Sequence, residues 1–263
     1  MKWRILKRTN AVRRSSSQTG TKILLVPGKS GKLDLDAVEH AITRRADIHY
    51  PKPRVLSITQ TTELGTVYEQ SEITAATALA EKHGLKVHMD GARFANAVAA
   101  LELKPADLTW KAGVDVLCLG GAKNGTAIGE AVVFFDHGLA AEFEYRCKQA
   151  GQLASKMRFI SAPWIGMLES GAWLENAKRA NRMAALLADR VSGIRGVSLM
   201  FPTQANALFL QMDEGISGRL RNAGWRFYSF IGAGGARFMC SWQTTEDDVN
   251  ALADAIRKAS AEG

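Results

Sequence analysis

LKVHMDGARFANAVAAL, residues 85–101, decides the fold. Leu85–Met89 reads as a strand, and Ala92–Leu101 has the apolar spacing of a helix. Asp90 and Gly91 form the turn between them. A strand that hands over to a helix in this way is half of a parallel βαβ unit.

Working outward, the same alternation recurs on both sides. Lys22–Val26 and Arg54–Thr59 are predicted strands upstream, with Val114–Leu119 and Ala131–Phe135 downstream. Between them fall predicted helices. Leu33–Arg45 carries Asp34 near its start, and the Tyr-Pro-Lys-Pro connector of 50–53 stops it. Ser71–His83 is expected to be capped by Ser71 and ended by Gly84, and Pro105–Lys111 is a further helical stretch. Strands separated by helices predict an α/β fold with a mainly parallel sheet under helical cover. Pro163–Val191 reads as one long helix with a break near Gly171. Beyond it, Val197–Phe201, Ala205–Gln211, Arg226–Phe230 and Ala236–Trp242 are expected strands, and 215–223 and 245–260 expected helices. This change of style marks a small α+β domain. The division is therefore 1–20 as a disordered basic leader, 21–162 as a large domain, and 163–263 as a linking helix with the small domain.

Bulk composition narrows the function. The chain has 263 residues and a net charge of +8, but the charge is local. Residues 1–33 hold nine Lys/Arg and no acid, which leaves 25 basic against 26 acidic residues elsewhere. A near-neutral body argues against nucleic acid as a partner, and no apolar run is long enough for a membrane span. Three widely spaced cysteines, Cys118, Cys147 and Cys240, suggest reduced thiols and a cytoplasmic setting. No cysteine or histidine spacing offers a metal site. Most of His40, His49, His83, His88 and His137 read as structural.

In an open parallel sheet, ligands gather at the carboxyl ends of the strands. Three polar clusters fall there: Thr59–Thr66, Asp90–Arg93 and Gly120–Gly125. Each has a plain reading as well. Asp90 is a natural cap for the next helix, Arg93 a solvated helix residue, and Lys123 an exposed lysine in a turn. Together they place an acid, an arginine and a glycine-flanked lysine at successive strand ends. A lysine amine bonds a carbonyl cofactor, and a carboxylate keeps a pyridine nitrogen protonated. Two other motifs are rejected. Gly28-Lys29-Ser30 lacks the P-loop's earlier glycine, since Ile23 stands there. The glycine run of 232–235 lacks the strand, helix and acid of a dinucleotide fingerprint.

The stretches SITQTTELGTVY (57–68), VHMDGARFANAVAAL (87–101) and VDVLCLGGAKNG…GEAVVFF (114–135) resemble the low-specificity L-threonine aldolases, from about Lys22 to the C-terminus. The resemblance implies a fold-type I enzyme using pyridoxal 5'-phosphate. It also implies a homodimer or homotetramer, and an amino-acid substrate cleaved to glycine and acetaldehyde. Carried over position by position, Lys123 would bond the cofactor as a Schiff base and Asp90 would pair with its ring nitrogen. Arg93 would contact the cofactor or the substrate side, and Arg237 would grip the substrate carboxylate, its alternative being an ordinary strand-end arginine. The family's earlier segment, with its phosphate loop and ring-stacking histidine, has no match before Lys22, and Ala122 stands where a hydroxyl residue often precedes the lysine. The basic leader is accordingly read as a shortened start rather than a transit peptide. A catalytically impaired remnant and a related pyridoxal-phosphate enzyme are the alternative functions.

Overall fold

The computed structural model describes residues 4–7, 21–45, 47–50, 52–230 and 235–262. Its larger sheet has six strands in the order β2-β1-β3-β4-β5-β6. These are β1 (Arg4–Lys7), β2 (Lys22–Leu25), β3 (Pro53–Thr59), β4 (Lys86–Gly91), β5 (Val116–Leu119) and β6 (Ala131–Phe134). All neighbours are parallel except β5 and β6, which run antiparallel.

The intervening helices are α1 (Leu35–Thr43), α2 (Gln70–Lys82) and α3 (Phe94–Leu101). Asp34 caps α1 by accepting from the Asp36 and Ala37 amides. Two expectations change here. The cap of α2 is Glu69, not Ser71, because Glu69 and Glu72 form a reciprocal capping box. Pro105–Lys111 forms two short 3-10 turns, Pro105–Leu108 and Trp110–Ala112, rather than a helix.

The leader is corrected in part. Residues 4–7 are not unstructured: their backbone pairs with Lys22–Leu25 on one side and the Pro53–Ser57 segment on the other. The physical reason is the ladder itself, since β2 and β3 would otherwise present unpaired edges inside the sheet. The rest of residues 1–20 lies outside the described residues, as does most of the glycine run 232–235.

One face of this sheet is dry. Leu56, Ile58, Val87, Met89 and Leu117 are buried against Ile73, Ala76, Ala80, Phe94 and Val98 of the covering helices. After β6 the chain forms α4 (His137–Ala140) and α5 (Phe143–Gln149), which the sequence reading left without an assignment. The long helix is two: α6 (Arg158–Glu169) and α7 (Ala172–Val191), separated at Gly171 with φ 73°. Helix α6 begins upstream of Pro163, which lies inside it, and Ile160 of its first turn packs against Gly129.

The second sheet, β7 (Val197–Leu199), β8 (Ala207–Met212), β9 (Tyr228–Phe230) and β10 (Gly235–Met239), is antiparallel in the order β7-β8-β10-β9. It packs on α7, α8 (Glu214–Asn222) and α9 (Glu246–Ala261) through Leu208, Leu210, Phe238, Met183, Leu187 and Ile256. Helices α3 and α7 join the two halves: Asn96 donates to the Asn181 side chain at 3.0 Å, and Asn181 donates back to the Asn96 carbonyl at 2.9 Å. No helix among the described residues is long and apolar enough to cross a membrane.

Candidate active site

Register sets the site. Thr59, Asp90 and Cys118 are paired neighbours across β3, β4 and β5, so their side chains leave one face of the sheet near its carboxyl edge. One step deeper, His88 bridges Ser57 and Cys118, with Nδ1 2.9 Å from the Ser57 hydroxyl and Nε2 3.2 Å from the Cys118 sulfur. His88 thus ties neighbouring strands together. Asp90 is not the cap of α3. The N-cap position belongs to Arg93, and the Asp90 carboxylate instead accepts the Ala92 amide at 3.3 Å, which leaves it turned toward the edge.

Glycines let the next turn come close. The Gly120 amide donates to the Gly91 carbonyl at 2.9 Å. A Cβ at Gly120 would lie 2.4 Å from the Ala92 carbonyl oxygen, and one at Gly91 would lie 2.7 Å from that of Cys118. Only with both glycines does the turn bearing Lys123 reach the turn bearing Asp90. That turn is pinned from below: Asn124 donates to the Trp173 carbonyl and accepts from Asn176, each at 2.8 Å.

Charge completes the arrangement. Lys123 is exposed at the edge, and its amine is held below the ordinary lysine value by partial removal from water and then by Arg93. Asp90 and Glu130 oppose this shift, and Arg237 adds to it. The Arg93 guanidinium is also lowered, first by burial and then by Arg237, with Glu63 and Asp90 acting in the other direction. The structure therefore brings all four sequence-predicted residues, Asp90, Arg93, Lys123 and Arg237, into one electrostatic cluster, although Arg237 comes from the other sheet.

Three cations acting on one another make this edge a candidate site for an anionic ligand. The residues fit pyridoxal phosphate in kind: an amine for its aldehyde, a carboxylate for its ring nitrogen, and guanidiniums for its oxygens or for a bound carboxylate. Buried polar atoms without a hydrogen-bond partner lie here too. They are Thr59 Oγ1 beside Asp90, Thr126 Oγ1 against the lysine loop, and Arg237 Nε. A bound polar group would satisfy such atoms.

Sequence reading missed Glu130, Thr126 and Trp164. Glu130 accepts the Gly121 amide at 2.7 Å. Trp164 of α6 lies against Gly121, where a Cβ would come within 2.4 Å of its ring. The available signal was topological. A strand antiparallel to β5 returns its first residue to the same edge, so the residue before Ala131 had to arrive beside the lysine loop.

Comparison with known proteins gives the same neighbourhood. The chain is 59% identical over 238 residues to the low specificity L-threonine aldolase of a Pseudomonas species, covering 90% of this chain and 69% of that protein. An enzyme of the same description from Pseudomonas aeruginosa is 58% identical over the same span. Among solved structures, the Leishmania major threonine aldolase superposes with a TM-score of 0.90 at 24% identity, covering 98% of this chain and 78% of that one. A more distant fold relative is the Oryza sativa TDC solved with PLP and tryptamine, with a TM-score of 0.74 at 15% identity, covering 99% of this chain and 60% of that one. The profile of the beta-eliminating lyase family matches residues 8–214, and the chain belongs to that family.

Proposed function

We propose that this protein is a lyase that uses pyridoxal phosphate to cleave L-threonine and L-allo-threonine into glycine and acetaldehyde. The observation that carries the reading is the convergence of Lys123, Asp90, Arg93 and Arg237 on one sheet edge. It occurs in a chain 59% identical to a curated low specificity L-threonine aldolase.

When bound, the cofactor supplies an electron sink for the pair released as the substrate's Cα–Cβ bond breaks. Lys123 provides the bonding amine, and its lowered pKa enlarges the neutral, nucleophilic fraction near pH 7. Asp90 holds a proton on the ring nitrogen. Arg237 orients the substrate by its carboxylate, a task that suits a planar guanidinium, and Arg93 neutralises oxygen on the cofactor or substrate side. In this reading residues 21–162 bind the cofactor and 163–263 supply the substrate end. The working form is a cytoplasmic homodimer or homotetramer.

The test is a visible spectrum of the purified chain with added pyridoxal phosphate, then borohydride reduction and peptide mapping, and finally product analysis with L-threonine. An absorbing species trapped at Lys123, with glycine and acetaldehyde formed, supports the proposal. Scattered labelling of surface lysines sinks the cofactor assignment. An oxo-acid product replaces the aldolase with a different pyridoxal-phosphate reaction, and trapping without turnover leaves a catalytically impaired member of the family.

A further inference from the structure

Glu130 has no role in the reaction as described, yet it is built into the loop that carries Lys123. It is the residue before β6, and the antiparallel pairing of Ala131 with Leu119 returns it to the edge where that loop begins. Its carboxylate accepts the Gly121 amide at 2.7 Å. The Gly121 carbonyl in turn accepts the amides of Asn124 at 2.8 Å and Thr126 at 3.2 Å. The backbone of Gly121, two residues before Lys123, is therefore held from both sides. The fit around it is close, since a Cβ there would lie 2.6 Å from Thr126 Oγ1 and 2.4 Å from the Trp164 ring.

We infer that Glu130 is a positioning residue for the Lys123 amine, fixing the lysine turn through the Gly121 amide while its negative charge balances the arginines that crowd the same amine. The inference rests on the reading of Lys123 as the cofactor-bonding lysine. The charged groups acting on Lys123 come from four elements: Arg93 at the start of α3, Arg237 on β10, Asp90 at the end of β4, and Glu130 before β6. Two are positive and two negative. Removing the Glu130 charge leaves two guanidiniums against one carboxylate. A peptide N–H needs only an acceptor oxygen, and a glutamine amide supplies one. The hydrogen bond and the charge are thus separable, and a purely structural role would need only the first.

The experiment uses the full chain without added cofactor, so it does not depend on turnover. Amine acylation is followed against pH by mass spectrometry of the peptide bearing Lys123, with the exposed Lys258 as internal reference. Glu130→Gln should melt as the parent does and keep slow exchange of the Gly121 amide. Its Lys123 labelling midpoint, with Lys258 labelling as the internal standard, should fall by roughly half a pH unit. Glu130→Ala should show the same downward shift together with about tenfold faster exchange of the Gly121 amide. A Glu130→Gln midpoint equal to or above the parent's overturns the electrostatic role, and unchanged Gly121 exchange in Glu130→Ala overturns the positioning role. If the parent fails to trap pyridoxal phosphate at Lys123 while the Glu130→Gln shift is present, the cofactor reading falls and the coupling of Glu130 to Lys123 stands.

Discussion

The two sheets handle their faces and edges differently. In the six-stranded sheet one face is sealed by Ile58, Met89 and Leu117, while the other carries Ser57, His88, Asp90 and Cys118. Its parallel strands β3, β4 and β5 all end at one edge, so three successive loops deliver the Thr59–Thr66 segment, Asp90 with Arg93, and Lys123 to one place. In the four-stranded sheet, neighbouring antiparallel strands end at opposite edges. Convergence by loops between neighbouring strands is not available there, and among the described residues the sheet brings Arg237 toward the proposed site from within β10. In the proposed site the chemical groups gather on the parallel sheet, and the antiparallel one acts as a support that presents Arg237.

The sharpest way to break this contrast is Lys123→Ala. Borohydride-trapped label and turnover should both vanish, while the melting profile stays near the parent's, because the side chain sits at an open wall. Label retained at another lysine would mean that the parallel edge is not the site. Leu208→Ala tests the support. Leu208 is fully buried in the core of the second sheet, so its truncation should cost about 2–5 kcal/mol in denaturant unfolding. Under native conditions the yield of label at Lys123 should not change. A loss of labelling while the protein remains folded would show that the second sheet shapes the lysine loop and does more than present Arg237.

A smaller effect is expected at the contributed cation. Arg237→Lys keeps the charge but loses the planar fork, so KM for L-threonine should rise on the order of tenfold or more. The spectrum with cofactor alone should be preserved. A change in that spectrum with KM unaltered would place Arg237 on the cofactor and not on the substrate.

Much of the large sheet was legible because strand, turn and helix each leave a local mark. VHMDGAR passes from period-two alternation to a polar turn, and GGAKNG follows an apolar strand. The Gly171 break and the closing helix α9 were equally local. What escaped was set by pairing. Arg4–Lys7 has only two apolar residues inside a basic stretch, so composition hid it, and its place depends on the β2 and β3 ladders beside it. Glu130 escaped because one side chain before a strand carries no periodic signal, and only the antiparallel direction of β6 brings it to the lysine loop. Trp164 read as an ordinary helix residue because its partner is a glycine loop more than thirty residues away in sequence.

Cysteines give the smallest and most direct test of the contrast, since one lies in the first sheet and another in the core against the second. Cys240 follows β10 and is buried in the core of the second sheet, where burial pushes its thiol up to about 11. Cys118 lies on the polar face of the first sheet, partly exposed, with the His88 ring at 3.2 Å. A thiol reagent at pH 8 should modify Cys118 and Cys147 well before Cys240. The sign of the pH effect follows from the direction of the Cys240 shift. The folded-state pKa lies above the ordinary value near 9, so the contribution to stability is fully present below pH 9 and is lost as pH rises toward 11. Between those limits the parent's unfolding free energy should fall more steeply than that of Cys240→Ala, which removes the titrating group at a pH-independent cost of about 1 kcal/mol. Parallel curves for the two proteins would mean that the Cys240 thiol is not sealed from water, and the second sheet would then lack the dry core that distinguishes it from the polar face of the first.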